Sequence, residues 1–161
     1  MGRRHRAAGL TLVVMAVGLA GCGPVVPSAA PAHRRSRDPE TATALLRIAT
    51  RFNIDYATAR YAAVYGRFDA ASRAVISRRD YLRRHRECPS PKEGKVATTS
   101  VTRGPGRAWL VHYSIGGARL TDTWYYAGGR FAFDLPRSNP SAVALYRSSP
   151  SAYARAVGCG R

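Results

Sequence analysis

Nine carboxylates stand against 26 lysines and arginines in this 161-residue chain. One of them, Asp122, falls where the alternation of its neighbours calls for an apolar side chain. A carboxyl in such a place has three chemical uses. Desolvation raises its pKa and makes it a candidate general base. A partner, either an arginine or a tyrosine hydroxyl, makes it a structural device. In a hollow walled by aromatic rings it orients a ligand. The aromatics within reach are Trp109, Tyr113, Trp124 and Tyr126, which with Asp122 form the candidate ligand-binding set. Other constellations do not assemble: His85 and His112 stand alone within the domain, so neither a triad nor a paired-histidine metal site follows from motif, and no metal or cofactor is expected. Cys88 and Cys159 have no CxxC or Cys/His companions; they read as a disulfide closing a loop of about 70 residues, worth on the order of 4 kcal/mol in the chain-entropy model, with two free thiols as the alternative.

The elements that must position Asp122 can be counted from two turns. Gly116-Gly117 and Gly128-Gly129 each offer the two positive-φ positions of a tight hairpin, so each sets a register. The first pairs Ile115 with Ala118, Tyr113 with Leu120, Val111 with Asp122 and Trp109 with Trp124. The second pairs Tyr126 with Phe131, Trp124 with Phe133 and Asp122 with Leu135. Side chains alternate faces along a strand, so the large apolar residues share one face, broken only by Asp122. Leu110, His112, Ser114, Thr121, Thr123, Tyr125 and Asp134 fall on the other, mixed face. Lys95 to Thr102 reads as a further strand, whose Val96 and Val101 share a face only if a bulge intervenes.

Helical signals flank this sheet. Asp38-Pro39 predicts a helix start, and Leu45, Ile48, Ala49, Phe52 and Tyr56 recur at helical spacing. Arg60 to Tyr65, stopped by Gly66, and Asp69 to Val75 read as two short helices. Ser77 and Asp80 form a capping box for another that runs to about Glu87. That helix carries Arg78, Arg79, Arg83, Arg84 and Arg86, with Tyr81, Leu82 and His85 as its packed side. Its charge reads either as a solvated face or as a patch for anionic surfaces. Asn139-Pro140 and Ser149-Pro150 each predict a short closing helix. The element order predicts one α+β domain over residues 38–161, with N-terminal helices packed on a curved four-stranded antiparallel meander and two short C-terminal helices.

Residues 1–21 have the parts of an export signal: basic Arg3, Arg4 and Arg6, an apolar run from Ala7 to Ala20, and small residues at its end. Leu19-Ala20-Gly21-Cys22 resembles the lipobox of bacterial lipoproteins. The resemblance implies cleavage before Cys22, acylation of that cysteine, and anchoring to the outer face of the cytoplasmic membrane. Residues 22–37, with Pro24, Pro27 and Pro31, read as a tether. Without the three signal arginines the 26 basic residues fall to 23 against 9 acidic, a balance of +14. Such a balance ordinarily raises nucleic acid as a partner. Export argues against it and points instead to lipid headgroups or envelope polyanions.

Helices followed by an antiparallel meander resemble the nuclear transport factor 2-like fold, a cone in which a long helix lies across a bent sheet. The run Phe52-Asn53 through Tyr65, Asp69, Ser72 and Ser77-Arg78-Arg79-Asp80-Tyr81 is also similar to small exported actinobacterial-type lipoproteins. The cone implies a cavity between helix and sheet, with Asp122 pointing into it. Some domains of that fold use a cavity carboxylate in isomerase or dehydratase chemistry. The composite expectation is a non-catalytic envelope module binding a small apolar or anionic molecule or a protein partner. A cavity enzyme using Asp122, or a protein docking on anionic polymers through the arginine helix, are the alternatives.

Overall fold

The structure, a computed structural model, describes residues 37–89 and 96–159, all within one compact unit. The expected export signal, Cys22 and the expected tether up to residue 36 lie outside the described residues, as do residues 90–95, which include Lys95, the expected start of the further strand. The fold is α+β. Helices α1 (Ala42–Ala57), α2 (Tyr61–Gly66), α3 (Ala70–Val75) and α4 (Arg78–Glu87) precede the sheet. Strands β1 (Ala97–Arg103), β2 (Trp109–Ile115), β3 (Ala118–Ala127) and β4 (Arg130–Asp134) pair antiparallel in chain order, and α5 (Leu135–Ser138), α6 (Pro140–Arg147) and α7 (Pro150–Ala156) follow. Among the described residues no helix is long and apolar enough to cross a membrane.

Both hairpins take the register their glycine turns dictate. Gly116, Gly117, Gly128 and Gly129 all have positive φ, and Trp109 faces Trp124 as Trp124 faces Phe133. A bulge between Thr98 and Ser100 shifts β1 by one residue, which sets Thr98 against Tyr113 and Val101 against Val111 on one face. One expected pair does not form. β4 ends at Asp134, opposite Thr123, and Leu135 opens α5 instead of facing Asp122. The reason is local: the Asp134 carboxylate caps α5 by accepting from Arg137 N (2.9 Å), and Ser138 Oγ accepts from Thr123 N (2.8 Å), so the chain folds back across the sheet end. α5 is thus an element additional to the two predicted closing helices.

The start of α1 is also corrected. Its N-cap is Thr41, whose Oγ1 accepts from Ala44 N at 3.1 Å, and not Asp38. Asp38 is drawn elsewhere by stronger donors. Its carboxylate binds Arg67 Nη1 (2.6 Å) and Phe131 N (3.0 Å), its backbone N donates to Gly129 O (2.8 Å), and its carbonyl accepts from Tyr126 Oη (2.6 Å). The start of the domain is therefore clasped to the β3–β4 hairpin.

The core lies between α1 and the apolar sheet face. Phe52 of α1 sets its ring edge-on to Trp124 (5.1 Å) and against Phe133 (4.9 Å), over a fully buried Val111 and Phe131. Each such side chain contributes roughly 1.5–3 kcal/mol on burial. The free edge of β4 is covered by the chain between α2 and α3: Phe133 N donates to Arg67 O (2.8 Å) and Asp69 N to Phe133 O (3.0 Å). Ser72 completes this seam, donating to Phe133 O (3.0 Å) and accepting from Leu135 N (2.7 Å). Cys88 and Cys159 are disulfide-bonded, with Cα atoms 5.7 Å apart, so the end of α4 is tied to the segment beyond α7.

Candidate functional site

Asp122 is 5 % exposed in the middle of β3, on the face that carries Val111 and Trp124. It lines a cavity of about 270 Å³ bounded by the sheet, α1, α4 and α6. Because β4 ends at Asp134, no β4 residue pairs with Asp122, and Phe133 of β4 and Leu135 of α5 line the space on that side. Tyr113 Oη, from the adjacent strand, donates to Asp122 Oδ1 at 3.2 Å. Among the described residues that is the one protein donor to the carboxylate, and its second oxygen is left to the cavity. Burial pushes the Asp122 carboxyl up to about 7, against the smaller lowering effect of the Tyr113 hydrogen bond. Burial likewise raises the Tyr113 phenol, with the charge of Asp122 adding to it.

Of the five residues expected at a ligand site, the structure brings Asp122 and Tyr113 together at the cavity and places the other three elsewhere. Trp124 is fully buried beneath Phe52 and Phe133. Trp109 packs edge-on to Phe131, with the Arg103 guanidinium 3.5 Å from its ring centroid. Tyr126 packs on Phe131 while its hydroxyl holds Asp38. All three are on the predicted face, but Phe52 of α1 covers Trp124, and Phe131 packs against both Trp109 and Tyr126. Most of the remaining aromatic walls come from helices, Phe52 and Tyr56 of α1, Tyr81 of α4 and Tyr146 of α6, with Phe133 of β4 and Phe68 from the link between α2 and α3. Phe52, Tyr56, Tyr81 and Tyr146 stand out in the sequence only as packing positions, and helical spacing says nothing about which of them leave a hollow.

Behind Tyr146 is a second polar pair that the sequence conceals. His85, 1 % exposed, has its Nε2 2.8 Å from Tyr146 Oη and its ring stacked on Tyr61 at 4.4 Å. Its Nδ1 has no partner among the described residues, and burial holds the imidazole down at about 4. His112 lies on the mixed face, bonded to Thr102 Oγ1 and Thr121 Oγ1, each at 3.0 Å. No group of three or more His, Cys, Asp or Glu converges among the described residues.

The arginine helix departs from expectation at one position. Arg78, Arg79, Arg83 and Arg86 are exposed, but Arg84 is 7 % exposed and turned inward. Its Nη2 donates to Ser148 O (2.7 Å) and Nη1 to Leu145 O (3.3 Å), with the guanidinium 5.0 Å over the Tyr153 ring. Arg84 therefore caps α6, and Leu82, expected inside, is only half-buried. The physical reason is that carbonyls at a helix C-terminus need donors, and an arginine fork supplies two. Asp80 takes Arg83 (3.1 Å) and Arg79 (3.7 Å), which further reduces the positive character of the face.

A broader groove of about 480 Å³ along α1 has Asp38, Asp55, Arg51 and Arg67 in its walls, but its carboxylates are already paired, Asp38 with Arg67 at 2.6 Å and Asp55 with Arg51 at 3.1 Å. The Asp122 cavity differs in holding a carboxylate that has no cation among the described residues. No family model matches this chain, and neither the curated proteins nor the solved structures contain a match to it.

Proposed function

We propose that this chain is an exported envelope lipoprotein whose domain, residues 38–161, is a binding module for a small and largely apolar molecule, without catalysis of its own. The observation that carries the binding reading is the buried Asp122 carboxylate, steadied by Tyr113 on one oxygen and open on the other to an aromatic-walled space of about 270 Å³. Small-molecule sites combine this kind of apolar wall with a few placed polar groups. At about 30 Å³ per water, the space holds roughly nine water volumes, which suits a substituted single or fused ring. The order of helices before an antiparallel meander supports the cone-like fold, and the lipobox residues Leu19 to Cys22 support anchoring at the outer face of the membrane.

Leu120, 41 % exposed at the cavity rim, allows a test that spares the core. The wild-type chain is expected to bind a neutral fluorescent probe such as N-phenylnaphthylamine saturably, and Leu120→Trp to weaken that binding with the melting temperature unchanged. Equal binding by the two proteins sinks the reading. For the anchor, Cys22→Ser is expected to move the chain from the membrane fraction to the soluble one.

A second reading, a cavity enzyme, is favoured by one observation: a carboxyl pushed up to about 7 can exchange a proton near neutrality. Loss of a measurable turnover in folded Asp122→Asn would establish it over the first.

A further inference from the structure

We infer that the cavity selects an organic cation, an ammonium carried on a compact aromatic or alkyl body, with Asp122 as its counter-ion. The inference rests on the proposed binding role and gives that ligand its chemistry.

The sign of the site is the first argument. In a chain with 26 Lys and Arg against 9 Asp and Glu, the one charged side chain among the described lining residues is an acid. No arginine, lysine or histidine is among the described residues that face the space, so an anion would meet an unscreened carboxylate. Elsewhere in the domain buried carboxylates have been given cations or backbone donors: Asp55 has Arg60 at 2.6 Å, and Asp134 has Arg137 N at 2.9 Å. Among the described residues, Asp122 has only a phenol.

The second argument is the shape of the vacancy in its hydrogen bonding. A carboxylate accepts on both oxygens. Oδ1 is engaged by Tyr113, while the other oxygen opens on the cavity. An ammonium N–H placed there would complete the set and neutralise the charge in one step. Asn53 offers a further acceptor: its amide nitrogen is turned to Thr98 Oγ1 (3.3 Å), which leaves its carbonyl oxygen for a second N–H.

Third, the walls suit a cation. Tyr56, Tyr81, Tyr113 and Tyr146 bring four phenol rings to one small space, and ring faces attract desolvated cations. The rings would also cover the apolar body of the ligand.

Calorimetric titration of the wild-type chain with three probes of one shape tests this: phenethylamine, phenethyl alcohol and hydrocinnamate. At about pH 8 the amine is expected to bind about tenfold or more tighter than the alcohol, with the anion weakest. Asp122→Asn should erase the amine's advantage over the alcohol. Tyr113→Phe, which keeps the carboxylate, should retain the advantage. Moving from about pH 8 to about pH 6 should weaken the amine about tenfold, because the carboxyl titrates at about 7. Among the described residues, the other titratable groups facing the space are phenols, and burial keeps those of Tyr81, Tyr113 and Tyr146 neutral over that range. Equal affinity for amine and alcohol, or a preference for the anion, overturns the cation assignment and leaves the apolar cavity standing. Failure of all three probes together with unchanged dye binding in Leu120→Trp overturns both.

Discussion

Tyr113 and Asp122 are diagonal neighbours on two strands, Tyr113 set against Leu120 and Asp122 against Val111, and the phenol reaches across that diagonal to donate at 3.2 Å. Diagonal pairs lie within reach of long aromatic side chains, and here the reach leaves the carboxylate tethered without neutralising it. The arrangement keeps an acid in an apolar row at a cost to the fold, and that cost is measurable.

The folded-state pKa of Asp122, about 7, lies above the ordinary 3.8. The folded protein therefore holds a proton that the unfolded chain has released, and stability falls as pH rises through that window. The penalty is complete above about pH 7 and is on the order of 4 kcal/mol at most. Asp122→Asn is expected to raise the denaturant midpoint at neutral and alkaline pH and to converge with wild type near pH 4. An unchanged or lowered midpoint at alkaline pH contradicts the account.

His85 works in the opposite direction. Its folded pKa of about 4 lies below the ordinary 6.5, so the unfolded chain takes up the extra proton and stability is lost as pH falls from 6.5 toward 4. The size is on the order of 3 kcal/mol. Between about pH 4 and 6.5 the two slopes oppose each other in the wild type, and Asp122→Asn should unmask the histidine slope as a clear acid destabilisation. Nuclear magnetic resonance of the His85 ring checks the cause directly: a titration near 6.5 removes it.

Cys88 and Cys159 are 71 residues apart in sequence and close the α4 end against the chain terminus. Replacing both with serine is expected to cost on the order of 4 kcal/mol in chemical denaturation. Reductant should lower the wild-type midpoint and leave the double variant unmoved. A reductant effect of equal size in both proteins would place the stabilisation elsewhere.

Arg83 and Arg84 are adjacent on α4 and should behave as different residues. Arg84→Ala leaves the carbonyl of Ser148 without its arginine donor, removes one of the donors to Leu145 O and uncovers Tyr153, at a cost of about 2–4 kcal/mol. Arg83→Ala removes an exposed ion pair with Asp80 and should change stability by less than about 0.5 kcal/mol. Comparable melting temperatures for the two variants would contradict the inward placement of Arg84.

Much of this fold is written in short-range signals. The glycine pairs at 116–117 and 128–129 are enough to count the register from Trp109 to Phe133, because a tight turn admits one pairing of the strands it joins. Ser77, Asn139 and Ser149 announce helix starts because their side chains reach a backbone N–H three residues on. The bulge in β1 could be anticipated from Val96 and Val101 for the same kind of reason, alternation over a few residues.

Other features depend on contacts between distant segments. Asp38 has the sequence context of a helix cap, yet Arg67 and Phe131 N, 29 and 93 residues away, claim its carboxylate. Arg84 belongs by pattern to a solvated face, yet it turns inward to α6 carbonyls 61 and 64 residues on. Trp109, Trp124 and Tyr126 share the face with Asp122, but Trp109 and Trp124 are buried in the core and Tyr126 packs half-buried on Phe131. Past the early end of β4 a hollow remains, walled by Tyr56, Tyr81 and Tyr146. Turn geometry and capping act within a few residues and so can be read along the chain. Whether an inward-facing ring is packed or lines a space is set by how helices seat on a sheet, and that exists only once the chain has folded.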